Sequence, residues 1–325
     1  MGYQEEYQES IEHPEQFWRR QSELIEWYEF PQTILSQDEQ GFHRWFEGGK
    51  LNTSYLALDH QVKTGRGDQL ALIHDSPVTN SQHKLTYTEL RDEVARFAGV
   101  LREQSIDKGD RVIICMPMIP ETVVAMLACA RLGAIHSVVF GGFAPNELAI
   151  RIDDARPKAL VTASCGIEFT NVIEYKPLVD EALRIAQHPP QTVVLLQRPQ
   201  AQAVMQSGRD HDWNELMASA TPADPVPVEA TDPLYILYTS GTTGLPKGVV
   251  HDNGGHAVAL KYSMKTVYNT DPGDVYWAGS DLGWAVGHSY IVYAPLMHGC
   301  TSILYEGKPV RTPDAGAFWR VIPEH

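Results

Sequence analysis

Between residues 85 and 196 the chain alternates short Val- and Ile-rich runs with helix-forming stretches, and this rhythm restricts its fold more than any other feature. Leu85-Thr86-Tyr87-Thr88-Glu89-Leu90 opens a helix running toward Gln104, with Thr86 or Thr88 as its cap. The turn Lys108-Gly109-Asp110 leads into a strand from Arg111 to Cys115. There follow a helix begun by Pro120 and closed by Gly133, a strand from Ile135 to Phe140 and a helix from Pro145 to Asp154. A strand Ala159 to Thr162, a helix Pro177 to Gln187 and a strand Thr192 to Leu196 complete the run. Strands that are apolar throughout, separated by helices, predict a parallel sheet covered on both faces. Ligands of such α/β sheets sit beyond the C-terminal ends of the strands.

The flanks differ. Residues 1 to 50 hold 11 acids against 4 bases, a net of −7, with Phe17, Trp18, Trp27, Tyr28, Phe30, Trp45 and Phe46 interleaved. So many rings predict amphipathic helices laid against a larger body, with the carboxylates in water. Residues 1–60 are therefore expected to form a helical N-terminal segment, and 61–220 a first α/β subdomain. Thr221 to Pro233 has four prolines in 13 residues, an extended connector and the expected boundary with a second subdomain, 221–325. The final run from Gly316 to His325 is amphipathic with no closing strand, so the expectation is a truncated second subdomain.

Charge and cysteine usage exclude several function classes. Lys plus Arg number 26 against 41 Asp plus Glu, a net of −15 that repels phosphate backbones and anionic lipid, so neither nucleic acid nor membrane is an expected partner. Cys115, Cys129, Cys165 and Cys300 lie far apart with no C-x-x-C pair, which fits buried thiols in a reducing compartment. The acidic start lacks signal- and transit-peptide character, and the chain reads as cytoplasmic with its native N-terminus.

The sharpest motif is Tyr238-Thr239-Ser240-Gly241-Thr242-Thr243-Gly244-Leu245-Pro246-Lys247-Gly248, directly behind the strand-like Leu234-Tyr235-Ile236-Leu237. Its composition is that of a phosphate cradle. Gly241, Gly244 and Gly248 let backbone N–H groups converge on an anion, and four hydroxyls and Lys247 add donors and charge. It is not a Walker A loop, because Pro246 precedes the lysine, Gly248 follows it, and the extended Gly248-Val249-Val250-His251 replaces the helix.

These eleven residues resemble the phosphate-loop signature of the AMP-forming acyl-CoA synthetases of the adenylate-forming superfamily. Trp45-Phe46-Glu47-Gly48-Gly49-Lys50-Leu51-Asn52 is similar to the opening segment of the acetyl-CoA and propionyl-CoA synthetase branch, and Val139-Phe140-Gly141-Gly142-Phe143 to its CoA-tunnel turn. Asp281-Leu282-Gly283-Trp284-Ala285-Val286-Gly287-His288-Ser289-Tyr290 is similar to the carboxylate-pocket segment, and Gly307-Lys308-Pro309-Val310 with Pro313-Asp314-Ala315-Gly316-Ala317-Phe318-Trp319 to propionyl-CoA synthetases in particular. The resemblance implies a layered αβαβα adenylate-forming fold with two mostly parallel sheets. It also implies a two-step ligation of a short-chain acid, propionate before acetate, to coenzyme A at the expense of ATP, with small molecules as the only partners. The ribose-binding aspartate, hinge and mobile C-terminal domain of that family have no counterpart up to His325, so the chain is expected to be the front portion of such an enzyme and inactive alone.

Roles follow from the same resemblance. Thr239, Ser240, Gly241, Thr242, Thr243 and Gly244 would hold the β and γ phosphates, with Lys247 a mobile counter-charge and Mg2+ arriving with ATP. Trp284 is on position alone either a core residue or a pocket wall; the resemblance assigns the wall, with Ala285 and Val286 setting the pocket volume. His288 would reach a carboxylate or phosphate, or else serve structure. Gly141 and Gly142 would pass the CoA arm or simply form a βα turn. Asn171 stands where that branch carries an arginine for the CoA phosphates, with Arg151 or Lys176 as substitutes. His251, His256 and His298 lack ligand-like spacing, so no protein-bound metal is expected. Two other readings stay open: a non-catalytic nucleotide-binding or scaffold protein on the same fold, and an adenylating enzyme that loads a carrier-protein thiol.

Overall fold

The computed structural model describes residues 2–239, 246–308, 311–312 and 314–325. The alternating region builds a seven-stranded sheet ordered Asp210–Asp212, Thr192–Leu196, Ala159–Ala163, Arg111–Cys115, Ile135–Val138, Pro233–Thr239, Lys247–Asp252. The first six strands are parallel and the last is antiparallel. Successive side chains of Arg111–Cys115 enter different cores. Val112 and Ile114 pack with the Tyr87–Glu103 and Pro120–Leu132 helices, whereas Ile113 and Cys115 pack with Pro145–Ala155 and Tyr175–Ile185. Both faces are thus covered, which is why these strands read as continuous apolar runs.

Element ends have local causes. Of the two candidate caps, Thr86 is used: its hydroxyl accepts from the Glu89 N–H at 3.2 Å while the Glu89 carboxylate accepts from the Thr86 N–H at 2.8 Å. Pro120 starts its helix and Gly133, at φ +72°, stops it.

A second sheet has the order Val275–Tyr276, Thr301–Tyr305, Leu70–Ser76, Ser81–Thr86, three parallel strands and an antiparallel edge. The Thr221–Pro233 connector therefore does not divide one sheet from the other, contrary to the boundary expected there. Strands from before it and after it enter both. Prolines show that the chain is extended; they do not show where it goes. Here it crosses the helix layer, the Ala223 N–H donating to Ala95 and the Val226 N–H to Arg131.

The N-terminal segment begins with helices Tyr3–Glu12 and Pro14–Ser22 and ends in a helix at Tyr55–Asp59, but its middle is not helical: Thr33–Gln37 and His43–Glu47 form an antiparallel hairpin. Its turn is closed by Asp38, whose carboxylate accepts from the Gln40 and Phe42 N–H groups. The rings do bind this segment to the body. Trp18 lies edge-on to Trp45 and to Tyr262, each 5.9 Å between centroids. Asn52 donates its buried amide to Ala130 and Arg131 at the end of one helix and to Val226 of the connector. Arg131 in turn pairs with both carboxylate oxygens of Asp59. All four cysteines are buried and unpaired. Among the described residues no helix is long and apolar enough to cross a membrane.

Candidate active site

Because Ile135–Val138, Ala159–Ala163 and Pro233–Thr239 are parallel, their C-terminal ends open on one edge. From the first comes the Phe140-Gly141-Gly142 turn, from the second the Cys165–Glu168/Asn171–Glu174 hairpin, and from the third the Thr239–Lys247 segment. The Phe140 ring lies at the meeting point of three cavities. One is shared with Gly141, Gly142 and the hairpin residues Gly166 to Phe169, a second with Trp277, Asp281 and Trp284, and the third with Tyr238, Pro246 and Trp284. The result is one branched cleft at the position expected for ligands of a parallel sheet.

Predicted residues fall on this cleft unevenly. Ser240, Gly241, Thr242, Thr243 and Gly244 lie outside the described residues. Thr239 and Lys247, which bracket them, are register partners and exposed, and Lys247 has no acidic partner among the described residues. Trp284 is 63 % exposed and walls two of the cavities, so the core alternative does not hold. Ala285 and Val286 point to solvent and border none of the three. His288 is wholly buried and borders none either. Gly142, at φ +91°, faces open space in the first cavity, but a methyl group on Gly141 would overlap the Tyr175 hydroxyl, so packing alone requires that glycine.

Asn171 is exposed on the hairpin, opposite Glu168 and outside the cavity. Neither substitute cation reaches it. Lys176 is buried and held by Asp180 at 2.6 Å and Asp210 at 2.9 Å. Arg151 pairs with Glu147 and stacks on Phe143 and Tyr238, in the cavity beside Pro246.

Three lining groups were not picked out from the sequence. Burial pushes the Asp281 carboxyl above its ordinary value, against the pull of the Gly283 N–H and Lys308. The Lys308 ammonium sits 4.7 Å over the Phe140 ring and 3.9 Å from Glu168, a cation where the first two cavities join. Glu306, buried and paired with Arg198 at 2.8 Å, contributes to the floor. Asp281 and Lys308 both stood inside recognised segments, and that was the available signal. The one group of three potential metal ligands among the described residues, Asp75, Glu324 and His325, lies elsewhere, and Arg320 already pairs with both of its acids.

Comparison with known proteins bears on this cleft. Residues 58–325 match the model of the AMP-binding enzyme family. The chain belongs to that family. Residues 3–57 also match the acetyl-coenzyme A synthetase N-terminus, which covers the two helices and the hairpin. The chain is 62 % identical over its full length to an uncharacterized protein of Pseudomonas aeruginosa, covering 52 % of that protein. It is 53 % identical over 324 residues to acyl-CoA synthetase short-chain family member 3, mitochondrial, of Homo sapiens, covering 47 % of it, and 46 % identical over 329 aligned residues to propionate–CoA ligase of Escherichia coli, covering 52 %. The chain thus spans about half the length of the curated relatives it matches.

Proposed function

We propose that this chain, in its full natural reading frame, joins a short-chain carboxylic acid to coenzyme A through an acyl-adenylate. The observation that carries the reading is the convergence of three cavities on Phe140, lined by Tyr238 and Pro246, by Trp284 and by Gly141 and Gly142. Relatives named for acyl-CoA synthesis and propionate ligation support it. In the first step a carboxylate oxygen bonds to the α-phosphorus of ATP and the bond to pyrophosphate breaks. In the second the CoA sulfur, having lost its proton, bonds to the acyl carbon and AMP leaves. Little covalent work falls to the protein, so alignment and charge neutralisation dominate.

On this reading Thr239, Ser240, Thr242, Thr243 and the amides of Gly241 and Gly244 hold the phosphates. Lys247, free of acidic partners among the described residues, follows the charge onto pyrophosphate, and magnesium enters with ATP. Trp284 bounds the acid, and the cavity beside Gly142 admits the thiol arm. Propionate is the favoured acid, in line with the E. coli relative's name.

The test is ATP–pyrophosphate exchange by the full reading frame with propionate, acetate, butyrate or no acid. Acid-dependent exchange, fastest with propionate, is expected. Lys247→Ala should slow it roughly 100-fold, the scale of removing one transition-state charge contact. The 325 residues alone should not exchange. Folded full-length protein that shows no exchange with any of the acids would defeat the reading in favour of a non-catalytic nucleotide-binding protein. Asn171→Arg should lower the KM for CoA roughly fivefold without altering exchange, the effect of one charge-assisted contact.

A further inference from the structure

We propose that His288 is a positioning residue: its buried ring, seated on a row of rings across the sheet, holds the main chain of Trp284 and so fixes the tryptophan wall of the cleft. The row consists of His136, Tyr235 and His251, register partners on three adjacent strands. His288 lies over it, 4.5 Å from the Tyr235 ring and 5.7 Å from that of His136, while His251 stacks on Tyr235 at 4.6 Å. Two of these strands flank the Thr239–Lys247 segment and the third leads to Phe140. One imidazole is therefore seated on the strands that feed two branches of the cleft, and its own segment supplies the wall between them.

The connection to the wall is direct. The Trp284 carbonyl lies 3.0 Å from His288 Nδ1 and 3.1 Å from the His288 N–H, and the Trp284 N–H donates to the Asp281 carbonyl at 3.1 Å. Because a carbonyl only accepts, Nδ1 carries the proton. Nε2 is then left buried with no partner among the described residues. An orphaned polar atom in a core is a penalty that phenylalanine, of similar shape, would avoid, so it is the Nδ1–H bond that gives histidine a purpose here. The segment cannot relax elsewhere. Gly287 is folded so tightly on residues 281 and 282 that no side chain fits there, and the helix from His288 to Tyr293 has widened turns, a geometry common near functional sites. Tyr235 is anchored in turn by its hydroxyl, 3.3 Å from His256 Nε2, which also lies 3.3 Å from the Ser289 hydroxyl.

The kinetic arm of the test rests on the ligase reading; the spectroscopic arm does not. In the full-length protein, His288→Phe keeps ring and burial but deletes the donor, and His288→Asn restores a donor at the Nδ1 position. The phenylalanine variant should raise the KM for the acid roughly 10- to 100-fold, the scale of a small misplacement of a binding wall, and flatten the preference among propionate, acetate and butyrate. The KM for ATP should stay within about twofold, and His288→Asn should recover most of the loss. If His288→Phe does not fold, His288→Gln, whose amide reaches the Nε2 position instead, takes its place with the same expectation. Wild-type acid KM and selectivity in the donor-less variant, or an asparagine variant as impaired as it, overturns the proposal. Nitrogen-15 NMR of the full-length protein reads the tautomer independently. An Nδ1–H form supports the proposal and an Nε2–H form overturns it, even if the wild type shows no exchange with any acid and the ligase reading alone has failed.

Discussion

Gly141 and Gly166 approach the Tyr175 ring so closely that a methyl group on either would overlap it. Tyr175 is buried and cannot swing aside, so Gly141→Ala should cost about 1 to 3 kcal/mol in urea unfolding, the penalty of overpacking. In a Tyr175→Ala background the same substitution should cost almost nothing further, and a double-mutant cycle measures the difference. This position shows what the sequence makes legible. Its motif marks a place where backbone must come close, and Gly142 and Trp284 do line the cleft. The partner that explains Gly141 lies 34 residues on, beyond any local pattern. Nor does spacing reveal that Ala285 and Val286 face solvent while His288 faces the sheet, since that depends on how tightly the chain doubles back at Gly287.

Asn52 joins three elements through one amide: it donates to two terminal carbonyls of the Pro120–Leu132 helix and to one of the connector. Asn52→Ala takes the donor from the Val226 carbonyl and the acceptor from the Tyr55 N–H, while the Ala130 and Arg131 carbonyls keep the Gly133 and Val226 N–H groups; it should lower stability by about 1 to 3 kcal/mol with no change in urea m-value. Elements of the sheet were legible nearly to the residue, because Pro120, Gly133 and the Thr86–Glu89 capping box punctuate the chain chemically. The hairpin of 33–47 was not. Its strands are short and only partly buried, and aromatic content signals attachment to a body without specifying helix or strand.

At the scale of the whole molecule, His136, His256 and His288 are buried with no acidic partner among the described residues. Desolvation lowers His256 to about 3 and His288 to about 4, and drives His136 well below its ordinary value of 6.5. As pH falls from about 6.5 toward 4, the unfolded chain takes up protons that the folded chain refuses. Stability present at pH 7 should therefore be lost, by up to about 4 kcal/mol per pH unit for three groups. The carboxyls of Asp252 and Asp281, raised by burial, act in the opposite sense and moderate the slope. Urea midpoints at pH 7, 6 and 5 measure it, and His288→Phe should remove about a third of the histidine contribution. The parallel sheet was foreseeable at this scale, but the interleaving of the two sheets was not. Periodicity reports what each strand is, whereas its neighbour is chosen by packing far along the chain.

That interleaving imposes an order on synthesis. Leu70–Ser76 emerges from the ribosome early, yet its parallel neighbour is Thr301–Tyr305, and the Tyr262 hydroxyl that binds Glu6 is similarly remote. At the usual pace of translation the wait for that neighbour is roughly 10 to 50 s, during which an apolar strand has an open flank. A nascent chain of this design needs a chaperone's cover, or a translation rate matched to its topology, until Thr301–Tyr305 has emerged.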